Sequence, residues 1–387
     1  MPAPKHSRSF AHRLSGRSRV AAVSAGVVVM AAAMVAGFGF ATHVRGASQS
    51  TVIRSHERTR VSTPFAFTGI SPASGSTDVP SSVPLEVRFS TALAPDTPLP
   101  ALTPAIPGHW VPSGPSSLEF IAGAPAVPGT NVTLTIPGGP SGMRSASGRA
   151  LARTQVAALT VKPGSVLRLQ EILAQLGYLP VTWTPIDAAP TDTAKLAETQ
   201  AGVFSWRWAT TPAQLKALWQ PGRESSITDG ALMAFENAHG MATTTTIGPT
   251  LWAALLRALE AGQVDPYPYA YAMVSMSSPE NLVLWVNGAD VFTSLANTGI
   301  PVSPTATGTY PVYLRYRFQV MRGTNPNGSR YADPVSWVSY FNGGDAVHGF
   351  VRATYGWPQS LGCVELPPSN AAVVWPYMHI GTLVTVS

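Results

Sequence analysis

From Val20 to Ala41 the chain runs 22 residues without a charged side chain, and Lys5, Arg8, Arg13, Arg17 and Arg19 stand before it. An apolar run of that length spans a bilayer as a helix, and its basic flank stays on the cytoplasmic side. A secretory signal has a shorter apolar core, roughly 7–15 residues. The spacing therefore predicts a basic cytoplasmic segment at 1–19, a transmembrane signal anchor at 20–42, and the bulk of the chain outside the cytoplasm. Cleavage after the small-x-small triplet Gly39-Phe40-Ala41, giving a secreted protein, is the alternative.

The same segment explains the charge. A sequence pI near 9.6 suggests a nucleic-acid binder, but the first 46 residues hold six cations and no acid. The rest of the chain balances 19 basic against 19 acidic residues, so its surface has no basic excess to meet phosphates, and nucleic-acid binding is rejected.

Export also makes the cysteine usage informative. Exported proteins ordinarily use cysteines in pairs, yet this chain of 387 residues has one, Cys363. A single thiol in that setting points to a reactive group or an intermolecular bridge. Cys363 sits in Ser360-Leu361-Gly362-Cys363, fifteen residues after the pair His348-Gly349. A thiol nucleophile needs a proton acceptor and backbone N–H groups for the oxyanion, and this stretch can supply them. A papain-like protease would place the Cys before the His. The eight histidines form no ligand-spaced cluster, so neither a metal nor a cofactor is expected.

Residues 43–63 are polar and lack an apolar period, which reads as a linker. From 64 to 163 short period-two runs (Leu85, Val87, Phe89; Val132, Leu134, Ile136) alternate with Pro/Gly/Ser turns, predicting a β-sandwich. This pattern resembles the immunoglobulin-like spacers of bacterial cell-wall proteins. At Gly164 the period changes to that of helices: Leu169, Ile172, Leu173 and Leu176 before Gly177, a second helix opening at Asp229-Gly230, and a third from about Pro249. The words Leu169-Gln170, Leu176-Gly177-Tyr178, Ala234-Phe235, Gly240-Met241 and Ile247-Gly248-Pro249-Thr250 resemble the small three-helix peptidoglycan-binding module. The insert from Pro180 to Ser226, with Trp183, Trp206, Trp208 and Trp219, departs from that module. Core packing is the expected use of these tryptophans. The assignment is 164–264 for this module and 265–387 for a mostly-β catalytic domain.

Within 265–387 an Asn287-Gly288 hairpin, Pro304 to Tyr310, the His348-Gly349 pair, Ser360-x-Gly362-Cys363 and a closing Gly381-Thr382-x-Val384 strand follow one another. This ordered set resembles the L,D-transpeptidase catalytic domain of bacterial cell-wall synthesis. The resemblance implies Cys363 as nucleophile, its value lowered by a neighbouring imidazolium, and His348 as base. It further implies Gly362 and the Cys363 N–H as oxyanion donors, Ser360 as pocket floor, and a carbonyl near Gly349 orienting the histidine. Tyr340, Asn342, Arg352 and Trp357 are substrate-binding candidates. The implied partners are peptidoglycan stem peptides, the cytoplasmic membrane through one helix, and carbapenem-type inhibitors. The implied reaction is a 3→3 cross-link through a cysteine thioester. An L,D-carboxypeptidase, or a wall-binding protein with a degenerate catalytic domain, are the alternatives. Two positions depart from the family: Leu361 stands where a His is usual, and Glu365 where a basic residue is usual. Arg315 and Arg317 join Arg352 as cations that could replace the latter.

Overall fold

The computed structural model describes residues 64–186 and 192–387. The anchor at 20–42 and the flanking segments 1–19 and 43–63 lie outside the described residues. No helix among the described residues is long and apolar enough to cross a membrane.

The first strands are β1 (Phe67–Ser71), β2 (Leu85–Phe89), β3 (Ala101–Thr103), β4 (Gly108–Gly114), β5 (Ser117–Ala122), β6 (Asn131–Ile136) and β7 (Gln155–Thr160). They form two antiparallel sheets, β1-β2-β5-β4 and β3-β6-β7. The alternation in sequence becomes inside and outside: Leu85, Val87 and Phe89 are buried while Arg88 between them is exposed. Val132, Leu134 and Ile136 do the same on β6, and the two buried faces meet as the core of a sandwich.

Then come α1 (Val166–Gln175), β8 (Val181–Pro185), β9 (Gly202–Trp206), α2 (Ala213–Ala217), α3 (Ser226–Ala238) and α4 (Pro249–Ala261). Ser165 caps α1 by accepting from the Arg168 N–H at 3.0 Å, and Gly177 ends it with φ +85°. The insert holds the β8–β9 hairpin and the short α2. It is tied to α1 by buried polar groups. Gln170 donates to the carbonyls of Gln220 and Arg223 and to Thr228, and it accepts from Gly222 N–H. Arg168, paired with Glu171 at 2.8 Å, also donates to the Leu196 carbonyl. Trp183 is buried in the core these elements share, and Trp206, Trp208 and Trp219 pack against it.

Helix α3 starts three residues earlier than the expected Asp229-Gly230, which lie inside its first turns. The glycine signals packing rather than a helix start. A Cβ on Gly230 would stand 2.6 Å from the Gly381 carbonyl, and one on Gly381 would stand 2.2 Å from the Gly230 carbonyl. The helix therefore rests backbone to backbone on the turn before the closing strand. Tyr271, Trp285 and Leu383, all beyond the expected boundary at 264/265, share one core with α1, α3 and α4. The helical and catalytic segments thus pack as one body. Gly381→Ala combines this clash with an unfavourable φ of +89°, and a cost of about 2–4 kcal/mol is expected. Thermal unfolding followed at the near-ultraviolet tryptophan bands would read it as a lowered midpoint.

The last segment contains β10 (Ala270–Ser275), β11 (Asn281–Val286), β12 (Ala289–Leu295), β13 (Gly308–Pro311), β14 (Leu314–Thr324), β15 (Arg330–Asn342), β16 (Asp345–Gly349), β17 (Val364–Leu366), α5 (Pro368–Val374) and β18 (Leu383–Val386). One sheet runs β12-β11-β10-β18-β13 and the other β14-β15-β16-β17. Asn287 and Gly288 both take positive φ, as a two-residue hairpin turn requires. Ala272, Leu284 and Val384 of the first sheet meet Val347, Val364 and Leu366 of the second in a shared apolar core. Strand β18, last in sequence, lies between β10 and β13.

Candidate active site

Parallel pairing of β16 with β17 sets Val347 beside Val364 and His348 beside Glu365. Side chains alternate along a strand and paired residues share a face. Cys363, two residues before Glu365, therefore falls on the same face as His348. All three line a cleft of about 630 Å³ that residues of the long β14–β15 hairpin also line. The sequence separation of fifteen residues is thus closed by one strand pairing.

Cys363 enters β17 from a turn that only glycine can make. Gly362 has φ +115°, and a Cβ there would stand 2.5 Å from Asp345 Oδ1. Ser360 Oγ donates to the Cys363 carbonyl at 2.6 Å and accepts from Gly362 N–H at 3.2 Å. Gly362 N–H, the expected oxyanion donor, thus points to Ser360 Oγ in this structure. Ser360 lines the cleft and also knots the turn.

A second strip of chain holds this turn from the side. Ile300 N–H donates to Ser360 O, and the N–H groups of Gln359 and Ser360 donate to Thr298 O. Thr298 is held in turn by buried Glu280, which accepts from its N–H at 2.6 Å and its hydroxyl at 2.8 Å. Asn297 exchanges two backbone bonds with Glu365. None of these supports lies within 50 residues of Cys363 in sequence, which is why no local motif announces them.

His348 is buried, and its Nδ1 lies 3.3 Å from the Gly349 carbonyl. We assign Nδ1 as the protonated nitrogen on that contact, which leaves Nε2 as the acceptor. The orienting acceptor is the Gly349 carbonyl rather than Asp345, whose Oδ2 accepts from Ala306 N–H. Burial pushes the imidazole below its ordinary value, against the pull of the Glu365 carboxylate and the Gly349 carbonyl.

The half-buried Cys363 thiol is pushed up to about 12 by burial, with Asp345 and Glu365 adding to the rise and a bond from Ala346 N–H opposing it. Its Sγ donates to the Gly344 carbonyl at 3.7 Å. The imidazolium expected to lower the thiol is therefore not the resting state. Both groups are uncharged at neutral pH because the site is desolvated.

Glu365 meets Arg352 in a two-pronged ion pair. Nε donates to Oε2 and Nη2 to Oε1, each at 2.8 Å, and Nη2 also donates to Gln359 O. The missing cation at 365 is thus supplied from a loop thirteen residues upstream. Arg352 and Tyr340 line the cleft; Asn342 and Trp357 do not. Arg315 and Arg317 lie over Trp375 and Trp337 at 4.0 and 5.1 Å, outside the cleft. His379 stacks on Tyr267 with ring centroids 3.7 Å apart, outside the cleft.

A desolvated thiol and a histidine with one nitrogen free, facing one cleft, are groups that can carry out nucleophilic chemistry. Residues 269–386 match the family model of YkuD, the L,D-transpeptidase catalytic domain, and over that range the chain carries such a domain. No curated protein sequence matches the chain. Among solved structures it is similar to an L,D-transpeptidase from Mycobacterium smegmatis, at 12% identity and TM-score 0.29, covering 84% of this chain and 100% of that one. It is also similar to L,D-transpeptidase 3 from Mycobacterium tuberculosis with a faropenem-derived adduct, at 13% identity and TM-score 0.29, covering 83% and 98%. A third is the catalytic domain of the E. faecium enzyme, at 24% identity and TM-score 0.28, covering 30% and 96%.

Proposed function

We propose that this protein is a cell-wall L,D-transpeptidase that forms 3→3 peptidoglycan cross-links through a thioester on Cys363. The observation that carries the reading is the placement of Cys363 and His348 on one strand face at the floor of the cleft. The sulfur attacks the carbonyl carbon of the third stem residue while His348 Nε2 takes the thiol proton. The C–N bond to D-alanine then breaks, and the imidazolium returns that proton to the leaving amine. A side-chain amine of a second stem attacks the thioester, the amide forms, and the C–S bond breaks. The thiol is restored through His348.

The same reading assigns 20–42 as a membrane anchor, 64–163 as a spacer, and 164–264 as a wall-binding module. No metal or cofactor takes part. Purified protein incubated with stem tetrapeptide is expected to gain the mass of a tripeptidyl thioester and to yield cross-linked dimer. A carbapenem is expected to add covalently to the same thiol. An intact mass unchanged by both, in a folded sample, rejects the reading, and free tripeptide as the only product replaces it with an L,D-carboxypeptidase.

A further inference from the structure

Beside the β16–β17 face, the cleft is lined by one face of the β14–β15 hairpin. Across that ladder Gln319 pairs with Val335, Met321 with Asp333, and Gly323 with Tyr331. The side chains of Gln319, Met321, Tyr331, Asp333 and Val335 all line the cleft, as alternation requires. Asp333 is the carboxylate this hairpin brings to the cleft, and Arg322 of β14 also lines it. The other cleft carboxylates are engaged, Glu365 by Arg352 and Asp345 by the Ala306 N–H. The Asp333 carboxylate has no hydrogen-bond or ion-pair partner among the described residues. Its charge nonetheless bears on His348, Arg352 and Tyr331, which places it within electrostatic reach of the reacting groups.

We infer that Asp333 binds the acceptor, receiving the ammonium of the amine that attacks the Cys363 thioester. The inference rests on the proposed transpeptidase reading and deepens it, since the acyl-enzyme of a transferase and of a hydrolase differ only in what is admitted next. A primary amine on a peptide side chain reaches the cleft as an ammonium. A half-buried carboxylate with no partner is the group that attracts such a cation and holds it by a charge-assisted hydrogen bond. The cation supplied by Arg352 cannot do this and is already satisfied by Glu365. Once held, the ammonium releases a proton to solvent. The neutral nitrogen then attacks the carbonyl carbon, the C–N bond forms, and the C–S bond breaks. The nitrogen's second proton returns through His348 to the departing sulfur. Water carries no charge and gains nothing from Asp333, so this residue biases the partition toward cross-linking.

The test separates acylation from transfer, using the full chain and its Asp333→Asn and Asp333→Glu variants. Acylation by a carbapenem, read by intact mass, is measured for all three so that any change in the donor step is separated from acceptor use. With stem tetrapeptide as donor and a stem bearing a free side-chain amine as acceptor, Asp333→Asn is expected to raise the KM for acceptor about tenfold. That is the scale of one lost charge-assisted bond. Free tripeptide should rise at the expense of dimer, and Asp333→Glu should recover part of the loss. Added salt should raise the wild-type KM for acceptor and leave the Asn variant nearly unmoved. Hydroxylamine, an uncharged acceptor at neutral pH, should be used equally by wild type and variant. An acceptor KM unchanged in Asp333→Asn overturns the inference, as does equal loss with ammonium and hydroxylamine acceptors. Failure of the wild-type thiol to acylate at all instead removes the transpeptidase reading beneath it.

Discussion

Replacement of His348 by Ala is expected to slow acylation of Cys363 by about 10³-fold at pH 7 with the fold retained. The size follows from the electrostatics of the site. A thiol held at about 12 is thiolate in on the order of one molecule in 10⁵ at neutral pH. No standing pool of nucleophile exists, so the proton must leave as the sulfur attacks, and a positioned base contributes roughly 10²–10⁴-fold. The proposed mechanism makes His348 Nε2 that base, with Nδ1 turned to the Gly349 carbonyl. The pH profile distinguishes this from a merely structural loss. Neutral imidazole is the active form, and burial keeps its value below the ordinary one. The wild-type rate should therefore stay level as the pH falls through 6.5, the unperturbed histidine value, and decline only in more acid solution. In the Ala variant hydroxide must make the thiolate, so the rate should rise about tenfold per pH unit toward 12. Single-turnover carbapenem acylation followed by intact mass measures both. A variant with a level profile would place the base elsewhere.

Much of this site was legible in sequence because it is built from one short supersecondary unit. His348-Gly349 and Ser360-x-Gly362-Cys363 are the ends of two adjacent parallel strands, so a local pattern encodes a spatial contact. Sandwich, helices and closing strand were legible for the same reason, since each is a local periodicity. What the sequence hid is what depends on desolvation or on distant chain. The charge states of Cys363 and His348 are set by burial, which no motif records. The strip at 297–300 and its anchor Glu280 reach the nucleophile turn only through the folded sheet. Asp333 sits in a hairpin whose inward face is revealed only by its register with β14. The Gly230 to Gly381 contact likewise turned an expected helix start into a packing site.

Arg352→Ala is the second large effect, and its asymmetry with Glu365→Gln is the informative part. Of the pair, Arg352 keeps 31% of its side chain exposed and Glu365 only 6%. Removing the arginine strands a buried carboxylate, at an expected cost of about 3–5 kcal/mol. Removing the carboxylate leaves a guanidinium that still reaches water and the Gln359 carbonyl, so Glu365→Gln should cost about 1–2 kcal/mol. Activity should split in the same direction. An unneutralised Glu365 raises the neighbouring thiol further and slows acylation, whereas Glu365→Gln removes one of the charges now holding it up. The double variant Arg352→Ala with Glu365→Gln should recover much of the stability lost in Arg352→Ala alone, because no buried charge remains. Chemical denaturation of the three variants, alongside acylation rates, measures this. Equal destabilisation by the two single changes would mean that burial of Glu365 does not govern the pair. Glu365 would then be a solvated partner rather than a buried charge that depends on Arg352.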